Sequence, residues 1–162
     1  MPSPRILYSI IFVICASLLG FGLYLEHVVG LEPCPLCIFQ RIAYIVIAVI
    51  SLIGAIHNPQ KLFERIYTGL ILIASLCGAG IAGRQIWLQH LPEDEIPECG
   101  PGLEYMLDTF PFTDALRMIL SGSGECAEVQ WTFLSFSIAE WSIVCFSGLI
   151  IVCLTMLIRQ KN

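Results

Sequence analysis

Two cysteines three positions apart, Cys34 and Cys37, are the residues of this chain whose type and spacing best suit chemistry. A Cys-x-x-Cys pair can alternate between dithiol and disulfide, or it can contribute half of a zinc site. The pair lies at the start of an apolar segment in which Arg41 is the only charge. A dithiol beside a lone arginine at a membrane edge favours electron transfer between thiols and an acceptor dissolved in lipid.

Arg41 lies one helical turn from Cys37 if a helix begins near that cysteine. The amino terminus of such a helix and the arginine would both favour a thiolate at Cys37. Arg41 could instead donate a hydrogen bond to a carbonyl oxygen of a lipid-soluble oxidant. An ionisable residue inside a membrane span commonly indicates function, and the alternative is a side chain that only reaches out to the headgroups.

The segments that must position these residues are membrane spans. The chain is 57% hydrophobic and 13% charged, and a helix needs about 20 apolar residues to cross a bilayer. We therefore predict an all-α integral membrane protein, one domain over residues 1–162, with four helices at about 6–25, 38–56, 66–84 and 141–158. The first span is too long for a signal peptide core and no small-x-small cleavage site follows it, so we expect it to be retained.

Charge predicts the orientation of the spans. Five basic residues fall at one side: Arg5, Lys61, Arg65, Arg159 and Lys161. The loops at about 26–37 and 85–140 hold every acidic residue except Glu64, and their only basic residue is Arg117. Both termini should therefore be cytoplasmic and both loops outside. The net charge of −5 gives no basic stripe for nucleic acid, which is therefore not an expected partner.

The long second loop has features of a membrane-surface segment. Apolar residues at helical spacing predict two short amphipathic helices, one including Leu103, Met106 and Leu107 and one including Leu116 and Ile119, separated by Pro111. Four aromatic residues nearby are typical of interfacial anchors: Trp131, Phe133, Phe136 and Trp141.

The eight cysteines separate by topology. Those inside the apolar spans are expected to be inert filler: Cys15, Cys77, Cys145 and Cys153. Those outside lie where thiols are usually oxidised: Cys34, Cys37, Cys99 and Cys126. Four cysteines allow three connectivities, among which spacing favours Cys34–Cys37, leaving Cys99–Cys126.

Two other interpretations of these four cysteines are weaker. A bridge across Cys-x-x-Cys closes a very small loop and so makes a poor structural staple. A structural zinc site usually combines two Cys-x-x-Cys knuckles, whereas here Cys99 and Cys126 stand 27 residues apart. We therefore expect redox-active disulfides and no metal site.

With these residues assembled, the chain closely resembles the disulfide bond formation protein B (DsbB) family of bacterial inner-membrane thiol:quinone oxidoreductases. The resemblance rests on Pro-Cys-Pro-Leu-Cys at 33–37 with Arg41, on Gly-Ala-Ile at 54–56 and on Cys99. Its most specific part is Gly-Glu-Cys-Ala-Glu-Val-Gln-Trp-Thr-Phe-Leu at 124–134, which looks like the family's Gly-x-Cys-Ala-Glu-x-Gln-Trp-x-Phe-Leu signature.

The resemblance implies a relay. A periplasmic thioredoxin-like oxidase, DsbA, would be reoxidised at Cys99, with Cys126 as its resting partner. Electrons would then pass to the pair Cys34 and Cys37 through a transient Cys34–Cys126 link. A ubiquinone or menaquinone contacted by Arg41 would accept them, and the quinol would be reoxidised by the respiratory chain.

Two alternatives stay open at this point. A vitamin K epoxide reductase-like enzyme would share a four-helix bundle and a quinone, but its Cys-x-x-Cys is expected near the last helix, whereas here it precedes the second. A non-enzymatic membrane scaffold would use its disulfides only to hold the outer loops. Such a scaffold predicts bridges that resist mild thiols and no dependence on quinone.

Overall fold

The computed structural model describes residues 3–92, 95, 105, 108–122 and 124–159. Within them the elements follow the order α1 (Pro4–His27), α2 (Pro35–His57), α3 (Lys61–Gln89), α4 (Phe112–Ser121), α5 (Gly124–Ala127), β1 (Thr132–Phe133), β2 (Phe136–Ser137) and α6 (Ile138–Arg159). In this described part, α1, α2, α3 and α6 are long and apolar enough to cross a membrane. The predicted all-α, four-helix membrane fold is confirmed.

The four long helices pack as α1 on α2, α2 on α3 and α3 on α6. At the centre the rings of Tyr44 and Phe146 stack with centroids 4.3 Å apart. Gly78 of α3 faces the Phe146 ring so closely that a β-carbon would overlap it, so this small residue allows α3 and α6 to pack closely. The outer faces expose many large apolar side chains, as a lipid-facing surface requires.

Helix α3 extends further than the apolar stretch 66–84, because polar residues near its end find partners inside the protein. Arg84 stacks over the Trp87 ring at 4.2 Å and donates a hydrogen bond to the Ser121 carbonyl at 2.9 Å. Gln85 is buried. The helix therefore continues past Arg84 and carries Gln85 to the Cys34–Cys37 pair.

The loop between α3 and α6 contains the second of the two predicted amphipathic helices, α4. Its Ile119 is buried against Phe39 and Met118. The first predicted helix, around Leu103, Met106 and Leu107, lies outside the described residues.

A short β-hairpin follows α5 and was not predicted. Thr132 pairs with Ser137 and Phe133 with Phe136. Its two central residues, Leu134 and Ser135, both have positive φ, 53° and 68°, as a type I′ turn requires.

The aromatic residues around this hairpin form one cluster. Trp131 stacks on Phe133, Phe133 contacts Trp141, and Phe136 meets Trp141 edge-on. Phe21 of α1 joins the cluster through Trp131 at 5.6 Å. The cluster ties the end of the long loop to α1 and α6.

Candidate active site

The local sequence around Cys34 starts helix α2 and uses a sulfur as its cap. Cys34 is the N-cap residue in an extended conformation, and Pro35 follows in the first turn, where its missing N–H costs no hydrogen bond. The backbone N–H of Cys37 donates to the Cys34 sulfur at 3.3 Å. This places both sulfurs at the positive end of the helix dipole, where negative charge is stabilised.

The two sulfur atoms of this pair are in direct contact. The Cys34 thiol donates to the Cys37 sulfur at 2.7 Å, so only a small displacement separates the pair from the bond length of a disulfide, about 2.05 Å. Cys34 is buried and Cys37 is half-buried. Cys37 also lines a cavity described below, which makes it accessible to a ligand there.

A third predicted cysteine, Cys126, is carried to the same place by α5. It is fully buried and packs in one cluster with Cys34, Leu36 and Leu88. Hydrogen bonding with Cys126, hydrogen bonding with Cys37 and burial together raise the pKa of the Cys34 thiol above its ordinary value. Cys34 is therefore held mainly as the neutral thiol between two other sulfurs.

The close approach of this segment to α3 depends on a glycine. Gly122 has φ +84°, and a β-carbon there would overlap the Leu88 side chain. Only glycine meets both conditions without strain. Gly122 thus allows the turn that delivers Cys126 to Cys34. The fourth predicted cysteine, Cys99, lies outside the described residues.

Two glutamines complete the surroundings of the sulfurs, and neither was among the predicted site residues. Gln85 donates from Nε2 to the Cys37 sulfur at 3.2 Å and to the Cys34 sulfur at 3.4 Å. Gln40 donates from its own Nε2 to Oε1 of Gln85 at 2.7 Å. Their sequence does carry one signal that could have identified them: each places a carboxamide within or beside an apolar span, where such a group needs a partner inside the protein.

Arg41 faces α1 as well as the cavity. Its guanidinium pairs with the Glu26 carboxylate and donates from Nη2 to the Gly22 carbonyl at 3.1 Å. Glu26 was assigned to the first outer loop by sequence, but α1 continues through it to His27. Arg41 is therefore held in place by α1 while it also lines the cavity.

The cavity, about 530 Å³, lies among the four long helices, the first outer loop and the end of the long loop. Its volume is within the range of about 300–1,000 Å³ usual for small-molecule sites. Its wall is mostly apolar and includes Leu18, Phe21, Leu25, Tyr44, Trp131 and Trp141. Polar groups near the sulfurs of Cys34 and Cys37 include Arg41 and Gln85, and the carboxylates of Glu32, Glu125 and Glu128 also line the cavity. An apolar ring with carbonyl oxygens fits such a wall, because Arg41 supplies a charged donor beside a largely apolar surface.

Comparison with known proteins decides the family. Residues 4–156 match the family described as "Disulfide bond formation protein DsbB". The chain belongs to the DsbB family. A "Disulfide bond formation protein B" of Aromatoleum aromaticum is 48% identical over 160 residues, 99% of this chain and 96% of the relative. One of Hahella chejuensis is 51% identical over 144 residues, 89% of this chain and 87% of the relative.

Membership of the DsbB family makes this a multi-pass membrane protein with an oxidoreductase role in disulfide bond formation.

The four cysteines inside the membrane helices differ in their surroundings. Cys15 and Cys153 are fully buried, whereas Cys77 is exposed on the outer face. Cys145 lines the cavity and packs against the central hydrophobic core.

Proposed function

We propose that this DsbB-family protein reoxidises a periplasmic thioredoxin-like disulfide oxidase of the DsbA type and passes the electrons to a membrane quinone. The observation that carries the proposal is the convergence of three sulfurs, those of Cys34, Cys37 and Cys126, beside an apolar cavity lined by Arg41. A disulfide exchanger without a lipid-soluble acceptor would have no need of that cavity.

The relay proceeds by thiol–disulfide exchange. A thiolate of the reduced partner attacks Cys99 of a Cys99–Cys126 disulfide, forms a mixed disulfide and leaves the electron pair of the broken bond on Cys126. Cys126 then attacks Cys34, so that a Cys34–Cys126 bond forms, the Cys34–Cys37 bond breaks and its electron pair stays on Cys37. The packing of Cys126 against Cys34 supports this second exchange.

The acceptor would be held by Arg41 and the apolar side chains of the cavity. Ubiquinone or menaquinone would supply an acceptor of two electrons and two protons, and the quinol would be reoxidised by the respiratory chain. Cys37, which lines the cavity, presents the electron-rich sulfur to it. The second thiolate of the partner displaces Cys99 from the mixed disulfide, and Cys99 then displaces Cys34 from Cys126, which restores the Cys99–Cys126 bond. The Cys34 and Cys37 thiols would give two electrons and two protons to the quinone, so that over a full cycle the partner dithiol becomes a disulfide.

The proposed location is the bacterial inner membrane, with both termini cytoplasmic and both sulfur-bearing loops periplasmic. The uneven distribution of basic residues at the ends of the helices supports this orientation. An oxidising compartment on the loop side also suits four cysteines that cycle through disulfides.

Steady-state quinone reduction tests the proposed function. Purified protein in detergent is supplied with a reduced thioredoxin-like periplasmic oxidase, and loss of quinone absorbance is followed for a ubiquinone and a menaquinone analogue. We expect turnover in the wild type, none in Cys37→Ser, and wild-type turnover in Cys77→Ser, since Cys77 is exposed on the outer face of α3. No wild-type turnover with either quinone would favour disulfides that only hold the loops.

A further inference from the structure

Gln85 of α3 places its carboxamide against both sulfurs of the Cys34–Cys37 pair. Its Nε2 lies 3.2 Å from the Cys37 sulfur and 3.4 Å from the Cys34 sulfur. The side chain is only 4% exposed, and a buried amide without hydrogen bonds would be costly. Gln85 is therefore a fixed part of the sulfur site.

The orientation of this carboxamide is set from the other side by Gln40. Gln40, also 4% exposed, donates to Oε1 of Gln85 at 2.7 Å. Because Oε1 is the acceptor in that bond, the Nε2 of Gln85 with its two protons faces the sulfurs. The Cys37 thiol can also donate to Oε1 at 3.6 Å, so the same amide serves the thiol and the thiolate.

We propose that Gln85 is a catalytic residue whose carboxamide donates hydrogen bonds to the thiolate released at Cys37 when Cys126 attacks Cys34. The proposal rests on the relay described above. In that exchange the Cys34–Cys126 bond forms as the Cys34–Cys37 bond breaks, and the electron pair remains on Cys37. A leaving sulfur departs faster when its thiolate is stabilised.

The hydrogen bonds of the described residues explain why this role falls to Gln85. Two side chains donate to the Cys37 sulfur, the Cys34 thiol and the Gln85 amide. Once Cys34 is joined to Cys126 by a disulfide, it has no proton left to donate. Of these two donors, Gln85 alone then remains at the thiolate.

The charged groups around the cavity make such a neutral donor more important. Arg41 is paired with Glu26 of α1. Three further carboxylates line the cavity, those of Glu32, of Glu125 in α5 and of Glu128 just after it. Tyr44 of α2 adds a phenol. Carboxylates oppose a nearby thiolate, whereas a carboxamide held by Gln40 stabilises it without a counter-charge.

Alkylation of Cys37 tests this role without quinone and without a partner protein. Fully reduced protein in detergent is treated with iodoacetamide across a pH series, and the modification of Cys37 is followed by mass spectrometry. Gln85→Leu removes both polar atoms. Gln85→Glu keeps the shape and the bond from Gln40, and its carboxylate has no proton to donate once it is ionised in the alkaline part of the series. Thermal unfolding confirms that each variant is folded.

A matched control lies one turn along the same helix. Gln89 lines the same cavity, and its Oε1 accepts from the Ser137 hydroxyl at 2.9 Å. Gln89→Glu therefore keeps that bond and adds the same charge to the same cavity. It separates the loss of a donor at the sulfur from a general effect of negative charge.

We expect the rate of Cys37 alkylation at neutral pH to fall roughly tenfold or more in Gln85→Leu, and to change by less than about threefold in Gln89→Glu. In Gln85→Glu the loss should appear once the carboxyl is ionised. Tenfold corresponds to about 1.4 kcal/mol. Wild-type alkylation in Gln85→Leu, or an equal loss in Gln89→Glu, would overturn the role of Gln85. If alkylation depends on Gln85 while quinone turnover is absent in the wild type, the proposed function fails and the donor role stands.

Discussion

Arg41 of α2 is ion-paired with Glu26 of α1 beside the cavity that also exposes Cys37. The pair links the two helices at the level of the sulfurs, and the bond from Arg41 to the Gly22 carbonyl holds the guanidinium from a second direction. An arginine fixed in this way loses little conformational freedom when it binds a ligand.

Loss of the Glu26 carboxylate should weaken quinone binding to a small extent. The Arg41 and Glu26 side chains are 24% and 31% exposed, and a pair so open to solvent is worth at most about 1 kcal/mol. We expect Glu26→Ala to raise the apparent KM for quinone roughly two- to fivefold, with a smaller change in Glu26→Gln, which retains an acceptor. A lower KM in Glu26→Ala would mean that Glu26 competes with the ligand for Arg41.

Replacement of Arg41 itself should raise the apparent KM for quinone by more than the loss of Glu26 does. Arg41→His removes a permanently charged donor from an apolar wall, and hydrogen bonds from charged groups contribute about 1.5–3 kcal/mol. The apparent KM for quinone should rise roughly tenfold or more with a smaller change in kcat. Arg117→His, at an exposed position of α4, is the control. A change confined to the KM for the partner protein would contradict the assignment of Arg41.

Cys34 in the reduced protein should react with iodoacetamide only at high pH, because the thiolate is the nucleophile. Hydrogen bonding with Cys126, then with Cys37, together with burial, keeps the Cys34 pKa above its ordinary value, which is about 8.5. Its alkylation rate should therefore still be rising as the pH passes about 8.5.

Removing Cys126 provides the comparison for this pH dependence. Cys126→Ala deletes the largest cause of the raised Cys34 pKa, so half-maximal alkylation should move to lower pH. Cys77→Ala should leave the profile in place. A wild-type midpoint below about 8.5, or no movement in Cys126→Ala, would show that Cys126 does not govern Cys34.

Alanine variants of two glycines with positive φ, Gly122 and Gly30, distinguish the effect of backbone strain from the effect of moving Cys126. Gly122 has φ +84° and no room for a β-carbon beside Leu88, whereas Gly30 has φ +81° and nothing within 4 Å. Alanine at either position should lower stability by about 1–3 kcal/mol through strain. Only Gly122→Ala should also displace α5 from Cys34.

The readout for the glycines is the Cys34–Cys126 disulfide that forms in a Cys37→Ala background when Cys34 displaces Cys99 from the Cys99–Cys126 disulfide, measured by non-reducing peptide mapping. We expect Gly122→Ala to form it more slowly than Gly30→Ala and the parent. Equal rates in both glycine variants, despite equal losses in Tm, would show that the contact with Leu88 does not position Cys126.

Sequence alone predicted the elements that depend on local composition. Four long apolar stretches gave the four membrane helices, and the Pro-Cys-Pro-Leu-Cys segment put Cys34 and Cys37 at a helix start. Helical spacing also identified α4. Each of these features depends only on residues that are close in sequence: the length of an apolar stretch, the position of a proline, or the spacing of apolar residues.

The residues that sequence missed depend on the approach of separate helices. Glu26 was assigned to a loop because it ends an uncharged stretch, but its partner Arg41 allows α1 to continue through it. Gln85 was assigned to the long loop in the same way, because the third predicted helix ended at Arg84. Its hydrogen-bond partners lie on α2. The hairpin at 132–137 escaped because Leu134 and Ser135 carry none of the usual Gly or Asn turn signals.

A single-turnover experiment tests most directly whether the Cys34–Cys37 pair delivers electrons to a quinone. Fully reduced protein, without partner and without oxygen, is mixed with one equivalent of quinone, and quinol and residual thiols are counted by absorbance and mass spectrometry. We expect one quinol per protein and the loss of two thiols, with a disulfide recovered between Cys34 and Cys37. Quinol formed while both thiols persist, or no quinol at all, would contradict electron transfer from this pair.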